Sequence, residues 1–121
     1  MPGFMEKKGK PEQDGGEEMF KICFFVPEDY LEKTKSAIFG AGGGRIGDYD
    51  SCAWQTKGEG QFRPLEGSQP FLGTRGEIEK VPEYRVELVC EDPLIDGVIR
   101  ALKQAHPYEE PAYEVYRMED Y

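Results

Sequence analysis

The run Met19-Phe20-Lys21-Ile22-Cys23-Phe24-Phe25-Val26, with the turn that follows it, constrains the fold more than any other stretch. It is short, apolar and rich in aromatic and β-branched side chains, which predicts a central strand. Pro27-Glu28-Asp29 then opens a helix. Proline is tolerated in a first helical turn, and the acidic pair suits the positive end of the helix dipole. Leu31, Thr34 and Ile38 recur on one face of that helix, and Gly40-Ala41-Gly42-Gly43-Gly44 stops it. The same grammar returns later in the chain. Tyr84, Val86, Leu88 and Cys90 share one face of a strand, and Arg85, Glu87 and Val89 share the other. Asp92-Pro93 starts a second helix with Asp92 as its N-cap, and Leu94, Ile95, Val98, Ile99, Leu102 and Ala105 form its buried stripe. Pro107 ends that helix, because it disfavours helical geometry at His106 and lacks a backbone donor. Ala112 to Tyr116 alternates as a last short strand, and Arg117 to Tyr121 is expected to fray.

Between the two halves the chain is rich in glycine. Tyr49 to Thr56 is expected to form a strand, Lys57-Gly58-Glu59-Gly60 a turn, and Gln61 to Leu65 an extended return. Glu66 to Pro70 has loop chemistry, with Phe71 and Leu72 tacking the loop down. Ile78 to Val81 resumes strand patterning, and Pro82 marks a bulge or an edge. Strand, helix, strand, twice over, fits an α+β fold: a ferredoxin-like (βαββαβ) sandwich with two helices on one face of an antiparallel sheet. Cys23 and Phe25 fall on the other face, with Trp54 and Tyr84 nearby. That face is expected to be covered by another subunit or by the long loop.

The chain has 121 residues and a net charge of -9, with a pI near 4.7. Residues 1–18 are dominated by charge, glycine and proline and read as a disordered tail; residues 19–121 read as a single domain. The acidic balance argues against nucleic acid and against an anionic membrane surface as partners. No apolar stretch is long enough to span a bilayer, and no apolar signal core stands at the N-terminus. Cys23, Cys52 and Cys90 are odd in number and widely spaced, which suits reduced thiols in a cytoplasmic protein.

Three constellations bear on chemistry. Gly42-Gly43-Gly44-Arg45-Ile46-Gly47 matches G-x-G-x-x-G in form, but follows a helix and precedes a strand. A dinucleotide fingerprint needs the reverse order, so the reading left open is an anion held by backbone N–H groups and Arg45, against a plain flexible connection. His106 with Glu109 and Glu110 offers nitrogen and carboxylate ligands for a divalent metal, completed by a neighbouring subunit. The alternative is a histidine that merely terminates its helix. Cys52 with His106 as nucleophile and base lacks both a glycine-rich elbow and a third group.

Gly44-Arg45-Ile46-Gly47-Asp48-Tyr49, Gly60-Gln61-Phe62-Arg63-Pro64-Leu65 and His106-Pro107-Tyr108-Glu109-Glu110-Pro111 stand within longer stretches that resemble the middle, inserted domain of NGG-interacting-factor-three-like (YqfO-like) proteins. The resemblance runs from about residue 19 to 118, and the His-Pro-Tyr-Glu-x-Pro segment is also similar to CutA. It implies a CutA/PII-like domain, usually trimeric, standing here without its flanking domains. In that family a two-metal site is built from histidines and acids of the flanking domains, so the hydrolase activity often assigned to it by analogy is not carried over. The expectation is a non-enzymatic ligand-binding or regulatory module, a homotrimer with its site between subunits. Gly44, Arg45, Gly47, Tyr49, Arg63 and Tyr108 would bind a small molecule or anion, and His106, Glu109 and Glu110 a metal. A metal-dependent hydrolase and a structural or partner-binding module are the alternatives. The cofactor is open, with a divalent metal kept in view through the CutA resemblance.

Overall fold

The computed structural model describes residues 18–121; the expected tail, up to residue 17, lies outside them. Strand β1 spans Met19–Pro27, helix α1 Leu31–Gly40, strand β2 Trp54–Phe62, strand β3 Glu79–Glu91, helix α2 Ile95–Ala105 and strand β4 Tyr113–Met118. All neighbouring strands pair antiparallel, in the order β2-β3-β1-β4. This is the ferredoxin-like arrangement of the CutA/PII-like kind. Each helix is entered through one 3-10 turn, Glu28–Tyr30 before α1 and Asp92–Leu94 before α2. Asp92 therefore lies inside a turn and makes no side-chain cap, contrary to its expected N-cap role.

The alternation along β1 decides where the core sits. Ile22, Phe24 and Val26 point to the helices and meet Val86, Leu88 and Cys90 of β3, Leu31 and Ile38 of α1, and Val98 and Leu102 of α2. The other face carries charge as well as apolar area. Lys21 pairs with Glu87 at 3.0 Å, Arg85 with Glu87 at 3.3 Å, and the Arg85 Nε–H donates to the Cys23 sulfur at 3.3 Å. Trp54 is 45% exposed on the outer strand beside them.

The middle of the chain differs from expectation. Lys57 to Gly60 is not a turn but the centre of β2, and Tyr49 to Ala53 is not strand. Among the described residues β2 pairs with β3 alone, and an outer strand tolerates glycines and charged residues. Pro82 sits within β3 without breaking it. The last pairing of β1 is Pro27 with Glu83, so at Pro82 the strand has a neighbour on one side only, where a missing N–H is tolerated. Arg117 does not fray either: it lies in β4, over the Phe20 ring and against Glu18.

The three cysteines are free and buried. Burial pushes the Cys90 thiol up to about 11. A thiol reagent is expected to label the folded protein slowly and all three positions promptly after unfolding. Prompt labelling of the native protein would contradict this packing. Among the described residues, no helix is long and apolar enough to cross a membrane.

Candidate functional site

α2 ends where the sequence says it must. His106, steered by Pro107, leaves helical space at φ -70° and ψ 136°, and this turns its ring back toward the end of β1. The ring is 5% exposed. Its Nε2 lies 2.6 Å from the Phe25 carbonyl oxygen, and the Tyr108 backbone N–H donates to its Nδ1 at 3.1 Å. A carbonyl only accepts and an N–H only donates, so the ring is neutral with its proton on Nε2. Burial holds its pKa below 6.5, partly opposed by the bond to Phe25. The Phe25 N–H donates in turn to Ala112 at 3.1 Å. The turn between α2 and β4 is thus fastened to β1 at two points.

This fastening fixes Tyr108. Its ring centre lies 5.1 Å from that of His106, 5.6 Å from Phe62 and 6.4 Å from Phe71. Phe71 stands edge-on to Tyr30 at 5.5 Å, which holds the long β2–β3 loop against the start of α1. Phe62, Phe71 and Tyr108 wall a cleft of about 260 Å³, whose rim and floor include Glu83, Glu109 and Glu110. Glu109 accepts a hydrogen bond from the Gln69 N–H at 3.2 Å and so latches the loop to the turn. Burial raises the Glu83 carboxyl above its ordinary 4.5. The Tyr108 hydroxyl is pushed up to about 12, by burial first and then by Glu83 and Glu79. Its oxygen is buried and has no hydrogen-bond partner among the described residues.

The candidate residues divide between two ends of the sheet. Tyr108, Glu109 and Glu110 line the cleft, and His106 supports it from beneath. Arg63, exposed, directly follows Phe62. Gly44, Arg45, Gly47 and Tyr49 are elsewhere. The Gly44 N–H donates to Val89 at 2.8 Å, and Val89 pairs with Lys21, whereas His106 is bound to Phe25. Lys21 and Phe25 are about 13 Å apart along a strand rising about 3.3 Å per residue. The cause is topological: β1 and β3 are antiparallel, so the helices that follow them finish at opposite ends of the strands. Within one chain the two loops do not meet.

The metal set His106, Glu109 and Glu110 is not assembled in the chain. Both ring nitrogens of His106 are already engaged, and among the described residues no three His, Cys, Asp or Glu side chains converge as metal ligands. Sequence reasoning missed Glu83, and it noted Phe71 only as an anchor for the loop. Glu83 was legible in part, since it alternates onto the face of Arg85 and Glu87. Phe71 lies in a loop without periodicity, and nothing in the sequence aims it at Tyr108.

No family model matches the chain. Curated relatives named "GTP cyclohydrolase 1 type 2 homolog" do. The protein of Bacillus subtilis is 43% identical over 99 residues, covering 82% of this chain and 26% of its own length. That of Mycobacterium tuberculosis is 39% identical over 104 residues, covering 86% and 27%. The crystal structure of a Bacillus cereus protein related to NIF3 superposes with a TM-score of 0.74 at 40% identity, over 86% of this chain and 26% of that one. This is a domain of the NIF3-related family. The chain spans about a quarter of the length of the curated relatives it matches. At the level of fold alone, this NIF3-type domain also matches CutA from Synechococcus elongatus, with a TM-score of 0.59 at 16% identity over 86% of this chain and 83% of that one. GlnK of B. subtilis follows at 0.56 and 16%, covering 84% and 85%.

Proposed function

We propose that this NIF3-type domain is a small ligand-binding or regulatory module rather than an enzyme, that it acts in the cytoplasm, and that it works as a homotrimer. The observation that carries the reading is the cleft walled by Phe62, Phe71 and Tyr108, held in shape by the bonds of His106 and Glu109. Concave, largely apolar sites with a few convergent polar groups are where small molecules bind. His106, the one histidine, makes a poor base or ligand here because both of its nitrogens hold the fold together. A divalent metal at this turn would rest on Glu109 and Glu110 with groups from another copy. The exposed Trp54 and the paired charges of Lys21, Arg85 and Glu87 give the open sheet face the mixed character of a subunit interface. An anion at the Gly42–Tyr49 loop, with Arg45 and Tyr49, would then face a neighbouring copy.

Light scattering is expected to give three times the 13.8 kDa chain mass. Phenol, a neutral aromatic probe, is expected to shift the backbone resonances of Phe62, Phe71 and Tyr108 saturably in an NMR titration. A monomeric mass would remove the trimer from this reading, and silence of those three residues would remove the cleft.

A further inference from the structure

The walls of the cleft are aromatic, and its charged groups are all of one sign. Phe62, Phe71 and Tyr108 present ring surface. Glu83, Glu109 and Glu110 line it, and no lysine or arginine does. Arg75 of the same loop is committed, its Nε–H donating to the Ser68 carbonyl at 2.9 Å, and Arg63, between Phe62 and Pro64, is exposed and does not line the cleft. Glu83 is led to its place by the backbone. Its carboxylate lies against the Cα of Gly60, where any side chain would collide with it. The buried Tyr108 hydroxyl, protonated at neutral pH and without a hydrogen-bond partner among the described residues, belongs to a side chain of the same wall. A buried polar atom of this kind calls for an explanation.

Aromatic faces attract cations through their ring quadrupoles, and carboxylates at the rim reinforce the same sign. An anion would meet three carboxylates and no compensating charge. We infer that the cleft binds a small organic cation, an amidinium, guanidinium or alkylated ammonium on a compact apolar body. The cationic head would lie between the rings of Phe62, Phe71 and Tyr108 with its charge toward Glu83. Glu109 is partly spent on Gln69, so Glu83 carries the charge recognition and Glu110 the outer rim. This rests on the ligand-binding reading of the same cleft and names the chemistry of its ligand.

Three nearly isosteric probes separate the possibilities: benzamidine as the cation, benzamide as the neutral form and benzoate as the anion. In NMR titrations of the full chain at neutral pH, benzamidine is expected to shift the amides of Phe62, Phe71 and Tyr108 saturably. Benzamide should bind about tenfold more weakly, and benzoate should leave them unmoved. Glu83→Gln should weaken benzamidine about tenfold and leave benzamide unchanged, because only the charge is removed. Arg100→Gln, exposed on α2 and outside the cleft lining, should change neither. Benzoate or benzamide binding in the cleft as tightly as benzamidine overturns the cation assignment while leaving a ligand-binding module. An unchanged benzamidine affinity in Glu83→Gln also overturns it. If none of the three probes moves the cleft residues, both readings fall.

Discussion

His106→Ala is expected to destabilise the domain by about 3 kcal/mol, although the residue belongs to no catalytic set. The substitution leaves the part-buried Phe25 carbonyl and Tyr108 N–H without their His106 partner and opens a void beneath the Tyr108 ring. Each orphaned group costs about 1–3 kcal/mol, and relaxation at the turn recovers part of the sum. The wild-type protein should also carry a pH signature that the variant lacks. Burial holds the native imidazole below the unfolded value of 6.5. Its contribution is therefore fully present above pH 6.5 and is lost as pH falls from 6.5 through the native pKa. Two carboxyls also contribute, with signs of their own. Glu87, held below 4.5 chiefly by its bond to Lys21, loses its contribution only beneath pH 4.5. Glu83, raised above 4.5 by burial, has the opposite sign. Urea unfolding at pH 7.5 and pH 5.5 measures both effects. A variant within about 1 kcal/mol of the parent at pH 7.5 would show that His106 is not the fastening it looks like.

The fold was legible because its two halves obey strong local rules. The apolar alternation of Ile22, Phe24 and Val26 faces the helices, and the breaks at Gly40–Gly44 and His106-Pro107 fall where the helices end. The outer strand was not legible. Lys57-Gly58-Glu59-Gly60 reads as a turn on local preference, and its strand geometry comes from pairing with Glu83, Pro82 and Val81 on β3. Such a tertiary cause leaves no periodic trace. The site was legible in half. The His106 turn stood out by composition, but composition left its histidine open between a metal ligand and a helix terminator, and both ring nitrogens bind backbone. Both helices end in marked turns, at Gly40 to Gly44 and at His106-Pro107. Antiparallel strands place those turns at opposite ends of the sheet in one chain, so any joint role needs a second copy.

Gly44→Ala is expected to cost about 2–3 kcal/mol, and the reason bears on what the Gly-rich loop is for. Gly44 lies at φ +78°, where an L residue is strained. An added Cβ would stand 2.8 Å from the Phe39 ring and 2.9 Å from the Cys52 carbonyl oxygen. The ring can shift a little; the carbonyl is tied, because the Cys52 N–H donates to the Gly44 oxygen at 2.8 Å. The Gly44 N–H, which an anion site would need free, is spent on Val89. Gly47 supplies the control within the same loop. It also has a positive φ, +57°, but an added Cβ would meet nothing within 4 Å. Gly47→Ala should therefore cost only the conformational share, about 1 kcal/mol. Thermal or urea unfolding of the two variants separates the terms. A larger loss in Gly44→Ala, with benzamidine still bound by the folded fraction, identifies the front of the loop as a clamp between α1, β3 and Cys52, acting apart from the cleft. Equal losses in the two variants would mean that the contacts at Gly44 yield, and that only its backbone angle matters.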